Sequence, residues 1–315
     1  MYRLGIDLGG TNIVAGIVDD NFKILSKAQM KTSIPRPAAD IADDMVAAAQ
    51  KALSFAGLTF DDIGGCGLGT PGSVDRKNGV IVYANNLGFN DVPIADMLKK
   101  RTGKQFAVAN DADSAAYGEF IAGAGKGTKS FVMITLGTGV GGGIIIDSKI
   151  CSGFNGAGGE LGHTVIQMNG EACTCGRNGC FEAYASATAL IRQTRQAMLK
   201  NPSSLMWKLC DGDIFKISGK TAFDAMRAGD AVGRRVVDDY IVYLSIGVAN
   251  IINTFQPEVF CIGGGISKEG DTIIKPLEQL VYAENYARFI EKKTAIRAAQ
   301  LGNDAGLIGA AFIGE

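Results

Sequence analysis

Two stretches of this chain follow one pattern, and this repetition constrains the fold more than any other feature. Residues 6–19 align with residues 134–147, and in both an apolar run is followed by a glycine turn, a second apolar run and an aspartate. Two β-rich runs joined by a glycine turn predict a hairpin. A duplication of this kind predicts two α/β domains of similar fold that face each other.

Both glycine turns offer chemistry for a phosphate group. Residues 137–142 match the dinucleotide pattern G-x-G-x-x-G, but that fingerprint needs a helix after the glycines, and residues 143–147 continue as a strand. A glycine turn with an exposed Thr138 presents backbone N–H groups and a hydroxyl to phosphate instead, as does the earlier turn with Thr11. Either turn alone is more simply a tight hairpin. Their matching places in the two halves favour phosphate binding.

Polar residues and helix signals mark the rest of the chain. Apolar residues at helical spacing predict a helix that begins at Asp40 as N-cap and ends at Gly57. Further helices are expected at residues 113–122, 187–200, 231–254 and 304–313. Asn110 and Asp111 follow a strand at residues 106–109, where crevices of α/β sheets carry function. On position alone, Asp111 is more simply a helix cap than a catalyst.

One loop has the composition of a metal site. It contains His163, the single histidine of the chain, together with Cys173, Cys175 and Cys180. One imidazole and three thiolates are the ligand set of a closed tetrahedral zinc site, and incidental thiols are the alternative. Glu160 and Glu182 flank these residues, so a structural metal would hold two carboxylates where a polar ligand meets them.

Charge and cysteine usage exclude several classes of function. The formal charge is −1 and 20% of residues are charged, which gives no reason to expect nucleic acid or a membrane surface as partner. The uncharged run at 240–257 is interpreted as a buried helix. An odd number of cysteines and no export signal predict a cytoplasmic protein. The four cysteines outside the metal loop are expected in or near the core: Cys66, Cys151, Cys210 and Cys261.

Six motifs occur together in one order: DLGGT at 7–11, GTPG at 69–72, NDA at 110–112, LGTGVG at 136–141, GELGH at 159–163 and CTCGRNGCFE at 173–182. Together they resemble the ROK family (repressors, open reading frames, kinases), and within it the bacterial glucokinase branch. The resemblance implies the α/β, actin-like ATPase fold, with two domains of ribonuclease-H type around a cleft. It places an N-terminal domain at 1–113, with helix 304–315 packing back onto it, and a larger domain carrying the zinc loop at 114–303.

The resemblance also implies roles for individual residues. Asp111 is the base for the sugar hydroxyl. The remaining sugar-binding residues are Gly72, Asn86, Asn110, Glu160, His163 and Glu182. The nucleotide site consists of Asp7 (near Mg²⁺), Gly9, Gly10, Thr11, Asn12, Gly137, Thr138 and Gly139, with Gly263, Gly264 and Gly265 near the nucleoside. The zinc ligands are His163, Cys173, Cys175 and Cys180. Two departures from the family pattern stand out. Asn12 stands where many members have lysine. Residues 85–88 read Asn-Asn-Leu-Gly without the more common Leu-Pro-Gly, so Asn85 is an alternative to Asn86 as the sugar contact.

The function implied is ATP-dependent phosphorylation of a hexose at its 6-hydroxyl, with glucose expected. An N-acetylated hexosamine or another hexose is the alternative substrate. A sugar-sensing repressor is the rival from another class. Repressors of this kind carry a helix-turn-helix domain before the first phosphate turn, and Asp7 lies only seven residues from the start. We therefore expect a kinase with ATP, Mg²⁺ and structural Zn²⁺, forming a homodimer or alternatively a tetramer.

Overall fold

Two five-stranded sheets with the same order of strands form the framework of the structure. The structure is a computed structural model that describes residues 1–314. The strands are β1 (Tyr2–Leu8), β2 (Asn12–Asp19), β3 (Ile24–Lys31), β4 (Ile63–Thr70), β5 (Ser73–Asp75), β6 (Val80–Ala84), β7 (Phe89–Val92), β8 (Phe106–Asn110), β9 (Phe131–Leu136), β10 (Val140–Ile146), β11 (Lys149–Ile150), β12 (Val259–Gly264) and β13 (Ala295–Ala298). The helices are α1 (Ala38–Ala56), α2 (Ile94–Thr102), α3 (Asp111–Ala122), α4 (Glu182–Ala185), α5 (Ala187–Lys200), α6 (Met206–Leu209), α7 (Thr221–Arg227), α8 (Ala231–Phe255), α9 (Asp271–Glu284) and α10 (Ala305–Phe312).

The strand orders repeat the duplication seen in the sequence. The first sheet runs β3-β2-β1-β4-β8 and the second runs β11-β10-β9-β12-β13. In the first, β1 pairs antiparallel with β2 and parallel with β4, and β4 pairs parallel with β8. Three strands that follow one another in the chain are therefore extended by two later strands in both sheets. The predicted duplicated α/β fold is confirmed, and β5, β6 and β7 form a further small sheet.

Helix α1 covers one face of the first sheet, as its apolar spacing predicts. Its buried residues are Ile41, Ala42, Met45, Val46, Ala48, Ala49, Ala52 and Leu53. Gly57 ends the helix in the left-handed conformation with φ 69°, as expected. The predicted N-cap was wrong: Pro37 occupies that position, and Asp40 lies in the first turn. Pro37 has an extended ψ of 142°, and its carbonyl accepts from the N–H groups of Asp40 at 3.1 Å and Ile41 at 3.3 Å.

Helix α10 packs against α3, β1 and β4 at a distance that only glycines permit. A Cβ atom at Gly5 would lie 2.2 Å from the carbonyl oxygen of Leu307, and one at Gly67 would lie 1.9 Å from that of Ala310. Because no side chain fits in these contacts, the helix backbone rests directly on the strands. This close approach brings the first turn of α10 to the end of β1.

The chain divides into two compact units. The first comprises Met1–Val132, Gly143–Gly159 and residues 300–314, and the second comprises Met133–Gly142 and Glu160–Ala299. The first unit therefore extends past residue 113, and it includes all of α3 and the start of β9. The predicted domain boundaries themselves stay a prediction.

The second unit contains α8, a long apolar helix. Among the described residues, α8 is the one helix whose length and composition would allow it to cross a membrane, and 61% of its most apolar window is buried inside the structure. Its buried face includes Tyr240, Leu244, Val248 and Ile252, so α8 is a core helix of this unit. One cysteine departs from expectation, because Cys151 is exposed after β11, whereas Cys66, Cys210 and Cys261 are buried as predicted.

Candidate functional site

The carboxyl ends of β1, β4 and β8 gather the predicted residues of the first unit at one sheet edge. The parallel register places Asp7 beside Gly69 and Thr70 beside Asn110. Functional side chains of open α/β sheets collect at this edge. Sequence order separates these residues widely, and the parallel pairing brings them together.

Asp7 lies in an unusual electrostatic environment. Burial, and to a lesser extent the negative charge of Asp111, raises the pKa of Asp7 from 3.8 to about 6. The first turn of α10 adjoins it, since a Cβ at Gly306 would lie 3.2 Å from Asp7 Oδ2. Carboxyl groups whose pKa is raised by burial are typical of functional sites, where a bound cation can stabilise the ionised form.

The first glycine turn is held in shape by its own backbone and by Thr32. The N–H of Gly9 donates to the carbonyl of Asn12 at 2.9 Å. Thr32, which is fully buried, donates its hydroxyl to the carbonyl of Gly9 at 2.7 Å and its N–H to that of Thr11 at 3.0 Å. The Thr11 hydroxyl is left exposed at the turn. Asn12 Oδ1 is buried and has no hydrogen-bond partner within the described residues.

Asn110, and not Asp111, caps helix α3. Its Oδ1 accepts from the N–H groups of Ala112 (2.8 Å) and Asp113 (3.3 Å), and its Nδ2 donates to the carbonyl of Gly72 at 3.0 Å. The capping role expected for Asp111 was therefore wrong. Asp111 is the first residue of the helix, and its exposed carboxyl accepts from the N–H of Ala112 at 2.8 Å. A carboxylate in this position is stabilised by the helix dipole.

Gly72 and Asn86 complete the first group. Gly72 has φ 92°, and a Cβ there would lie 2.1 Å from the carbonyl oxygen of Tyr83, so only glycine fits beside Asn110. A Cβ at Gly10 would lie 3.9 Å from Cβ of Asn86, which places Asn86 against the first glycine turn. The side chain of Asn85 instead accepts a hydrogen bond from the Tyr83 hydroxyl at 3.2 Å. The geometry favours Asn86 over Asn85 as a ligand contact.

The second glycine turn connects β9 to β10 and is fixed by helix α5. The N–H of Ala187 donates to the carbonyl of Gly137, and the hydroxyl of Thr188 donates to that of Thr138, both at 2.8 Å. The Thr138 side chain is exposed. The glycines after β12 approach the same place, because a Cβ at Gly264 would lie 2.4 Å from the carbonyl oxygen of Leu136. Gly264 has φ 84°, which favours glycine on conformational grounds as well.

The four predicted metal ligands are brought together. Their donor atoms all lie within 4.8 Å of one another. His163 Nδ1 is 3.5 Å from Cys173 Sγ, and Cys175 Sγ is 3.7 Å from Cys180 Sγ. Burial raises the pKa of the Cys180 thiol to about 12, so its thiolate would form at neutral pH only against a cation. The donor set and its spacing fit one tetrahedral metal ion.

This metal loop is anchored on α8 through Phe181. The ring of Phe181 is fully buried, and a Cβ at Gly247 of α8 would lie 2.3 Å from it. Gly179 has φ 81° and lies so close to Gln167 that a Cβ would be 1.7 Å from its carbonyl oxygen. Glycine at these two positions lets the loop fold tightly against the helix.

Of the two flanking carboxylates, Glu160 is exposed, whereas Glu182 is engaged on two sides. Glu182 Oε2 accepts from the N–H of Val140 at 3.0 Å, and Oε1 accepts from the hydroxyl of Thr174 at 3.2 Å. Glu182 thus joins the metal loop to the second glycine turn.

Comparison with known proteins agrees with this geometry. The sequence matches the ROK family over residues 3–315. The chain belongs to the ROK family. The glucokinase of Halalkalibacterium halodurans is 39% identical over 314 residues, which cover 99% of this chain and 94% of that protein. The glucokinase of Thermotoga maritima is 39% identical over 311 residues, covering 98% and 96%.

A solved structure gives the same result. The ROK family glucokinase of Streptomyces griseus, in complex with glucose and AMPPNP, superimposes with a TM-score of 0.82 at 36% identity, covering 99% of this chain and 98% of that one. This ROK protein therefore has the actin-like ATPase fold that its motifs imply.

Sequence reasoning missed several residues of the site in this ROK protein. Thr32 holds the first turn, Gly306 adjoins Asp7, and Thr188 binds the second turn. None of the three belongs to a motif, and each reaches the site by a contact that is distant along the chain. The capping signal Ser186, whose side chain accepts from the N–H of Ala189, could have located the start of α5.

Proposed function

We propose that the chain is an ATP-dependent glucokinase that transfers the γ-phosphoryl group of ATP to the 6-hydroxyl of glucose. Full-length similarity to glucokinases carries this proposal, above all to the Streptomyces griseus enzyme with its bound glucose and AMPPNP. The gathering of Asp7, Asn110 and Asp111 at one sheet edge supports it independently.

Asp111 is the proposed general base. Phosphoryl transfer needs alignment, charge neutralisation and one carboxylate that accepts the proton of the attacking hydroxyl. Asp111 has an exposed carboxyl at the start of α3, and Asn110 fixes that helix end by capping it. The N–H of Ala112 donates to the Asp111 carboxyl at 2.8 Å, which holds this carboxyl at the N-terminus of α3.

The two glycine turns and Asp7 are proposed for the nucleotide. Gly9, Gly10 and Thr11 in the first turn, and Gly137, Thr138 and Gly139 in the second, would bind the phosphates through N–H groups and hydroxyls. A Mg²⁺ ion near Asp7 would neutralise phosphate charge, and it would favour the ionised form that burial disfavours. The buried Oδ1 of Asn12 supports a ligand at the first turn. Gly263, Gly264 and Gly265 would contact the nucleoside.

The sugar-binding proposal rests on groups that match ring hydroxyls: Gly72, Asn86, Asn110, Glu160, His163 and Glu182. Since Nδ1 of His163 faces the cysteines, Nε2 is the nitrogen left for a hydroxyl. A site built to hydrogen-bond hydroxyls discriminates against sugars that lack or misplace them. Glucose is proposed over an N-acetylated hexosamine because relatives at 36–39% identity over nearly the whole chain are glucokinases.

We propose zinc as the ion held by His163, Cys173, Cys175 and Cys180. The mixed imidazole and thiolate set, with donors within 4.8 Å of one another, suits Zn²⁺ and leaves no position open for chemistry. The ion would supply folding energy and fix the loop that carries Glu160 and Glu182.

A panel of sugars tests the proposed activity. ADP release would be followed with glucose, mannose, N-acetylglucosamine and N-acetylmannosamine, with Asp111→Asn as the inactive control. The highest kcat/KM for glucose is expected. A preference for an acetylated sugar would replace glucose as substrate, and no ADP release with any sugar would refute the kinase.

Two further proposals concern the setting of the enzyme. None of the seven cysteines forms a disulfide, and this supports the proposal of a reducing cytoplasm. Cell fractionation that recovered the protein outside the cytoplasm would contradict this proposal. The described surface exposes large apolar side chains, including Phe215, Tyr286 and Phe289, of the kind that self-association buries. Light scattering should give the mass of a dimer. A monomer would contradict this proposal, and a tetramer is the alternative.

A further inference from the structure

Glu182 makes contacts that sugar binding alone does not require. Its Oε2 accepts a hydrogen bond from the N–H of Val140 at 3.0 Å, in the second glycine turn. A Cβ at Gly139 would lie 2.3 Å from the same oxygen, so the turn backbone packs directly on the carboxylate. The glycine at 139 is what makes room for Glu182.

The other oxygen of Glu182 faces the metal loop. Oε1 accepts from the hydroxyl of Thr174 at 3.2 Å and lies 3.6 Å from Cys173 Sγ. The backbone next to Glu182 is fixed too, because the neighbouring Phe181 is buried against α8. The carboxylate is therefore a rigid link between a metal ligand and the turn that presents Thr138.

The matching carboxylate of the loop makes no such link. Glu160 is exposed and makes no side-chain hydrogen bond among the described residues. Loss of an acceptor at 182 would leave the Val140 N–H without its charge-assisted partner, and loss at 160 would not touch the turn.

We propose that Glu182 is a positioning residue for the nucleotide, which holds the second glycine turn in its phosphate-binding shape and makes nucleotide affinity depend on the metal loop. This inference rests on the proposed function. The inference adds that the metal loop supports nucleotide binding as well as sugar binding. Without Glu182 the turn would lose one of its anchors, while those from Ala187 and Thr188 remain.

The test measures the Kd of Mg·ADP by calorimetry with no sugar present, so it requires no turnover. Glu182→Ala should raise this Kd about tenfold, the size expected when a charge-assisted hydrogen bond that fixes a binding loop is lost. Glu182→Gln should stay within about twofold of wild type, because its amide oxygen can still accept from Val140 while its NH₂ group donates to Thr174. Glu160→Ala, the matched control, should also leave the Kd unchanged.

Gly139→Ala provides a second perturbation if Glu182→Ala proves unstable. The added Cβ must displace the Glu182 carboxylate, so the Kd should rise, and in a folded double variant the two effects should not add. Removal of the bound metal by a chelator, which is dialysed away before Mg·ADP is added, should raise the Kd in wild type and raise it no further in Glu182→Ala.

The possible results distinguish a failure of the positioning role of Glu182 from a failure of the proposed function. If Mg·ADP binds wild type and binds both Glu182→Ala and Gly139→Ala equally well, the positioning role is refuted and the proposed function stands. A wild-type protein that binds no Mg·ADP overturns both.

Discussion

Asp7→Asn should stabilise the protein in a way that depends on pH. Burial and the charge of Asp111 raise the pKa of Asp7 from 3.8 to about 6, so the folded state disfavours ionisation that the unfolded state allows. Well below pH 3.8 the carboxyl is protonated in the folded and the unfolded state, so it does not lower the free energy of unfolding. As pH rises through 3.8 to 6 the stability falls, and above pH 6 the full penalty of about 3 kcal/mol is present. Asparagine carries no charge, so the Asp7→Asn variant does not lose this stability as the pH rises.

The assay compares melting temperatures of wild type and Asp7→Asn at pH 8.0 and pH 4.5, without nucleotide or Mg²⁺. The variant should gain about 3 kcal/mol at pH 8.0 and only about 1 kcal/mol at pH 4.5, a difference of several degrees in Tm. Asp239→Asn on the exposed face of α8 is the matched control and should change neither value. Mg·ADP should raise the Tm of wild type more than that of the variant. An equal effect of Asp7→Asn at both pH values would refute the electrostatic reasoning.

Three further predictions concern the proposed site. Asp111→Asn should lower kcat by about 10²–10⁴-fold while calorimetry still detects glucose binding, and turnover near the wild-type rate would exclude Asp111 as the base. Cys175→Ser should lose the bound zinc and lower the melting temperature; elemental analysis that finds active wild-type protein free of zinc would disprove the metal site. Glu160→Gln should raise the KM for glucose and leave the KM for ATP unchanged, and the reverse pattern in steady-state kinetics would place Glu160 on the nucleotide side.

Local patterns predicted much of the framework. The hairpin of β1 and β2 was predicted, and α5 has the bounds predicted for it, because alternation and helical spacing depend on near neighbours. The strands β5, β6 and β7 of the small sheet are three to five residues long, and strands this short show little alternation. Helix α9 was missed, and it contains Pro276, a residue that usually argues against a helix interior.

The candidate site was predictable only where a motif marked it. The cysteines of the metal loop are close in sequence and also close in space. Thr32 hydrogen-bonds Gly9 across a strand pair, and no sequence pattern predicts this contact. Strand β8 extends to Asn110, one residue beyond the predicted strand at 106–109. Asn110 therefore takes the capping position of α3 that was expected for Asp111. Gly5 and Gly67 carry no local signal either. Their role is set by the backbone of α10, which only the tertiary structure brings near.

The most direct test of the proposed function identifies the reaction product. The purified protein would be incubated with ATP, Mg²⁺ and glucose, and the products would be assigned by phosphorus–proton correlation NMR. We expect ADP and glucose 6-phosphate in equal amounts, with the phosphorus coupled to the protons of carbon 6. Phosphate on another carbon, or ADP formed with free phosphate and unchanged glucose, would contradict the account.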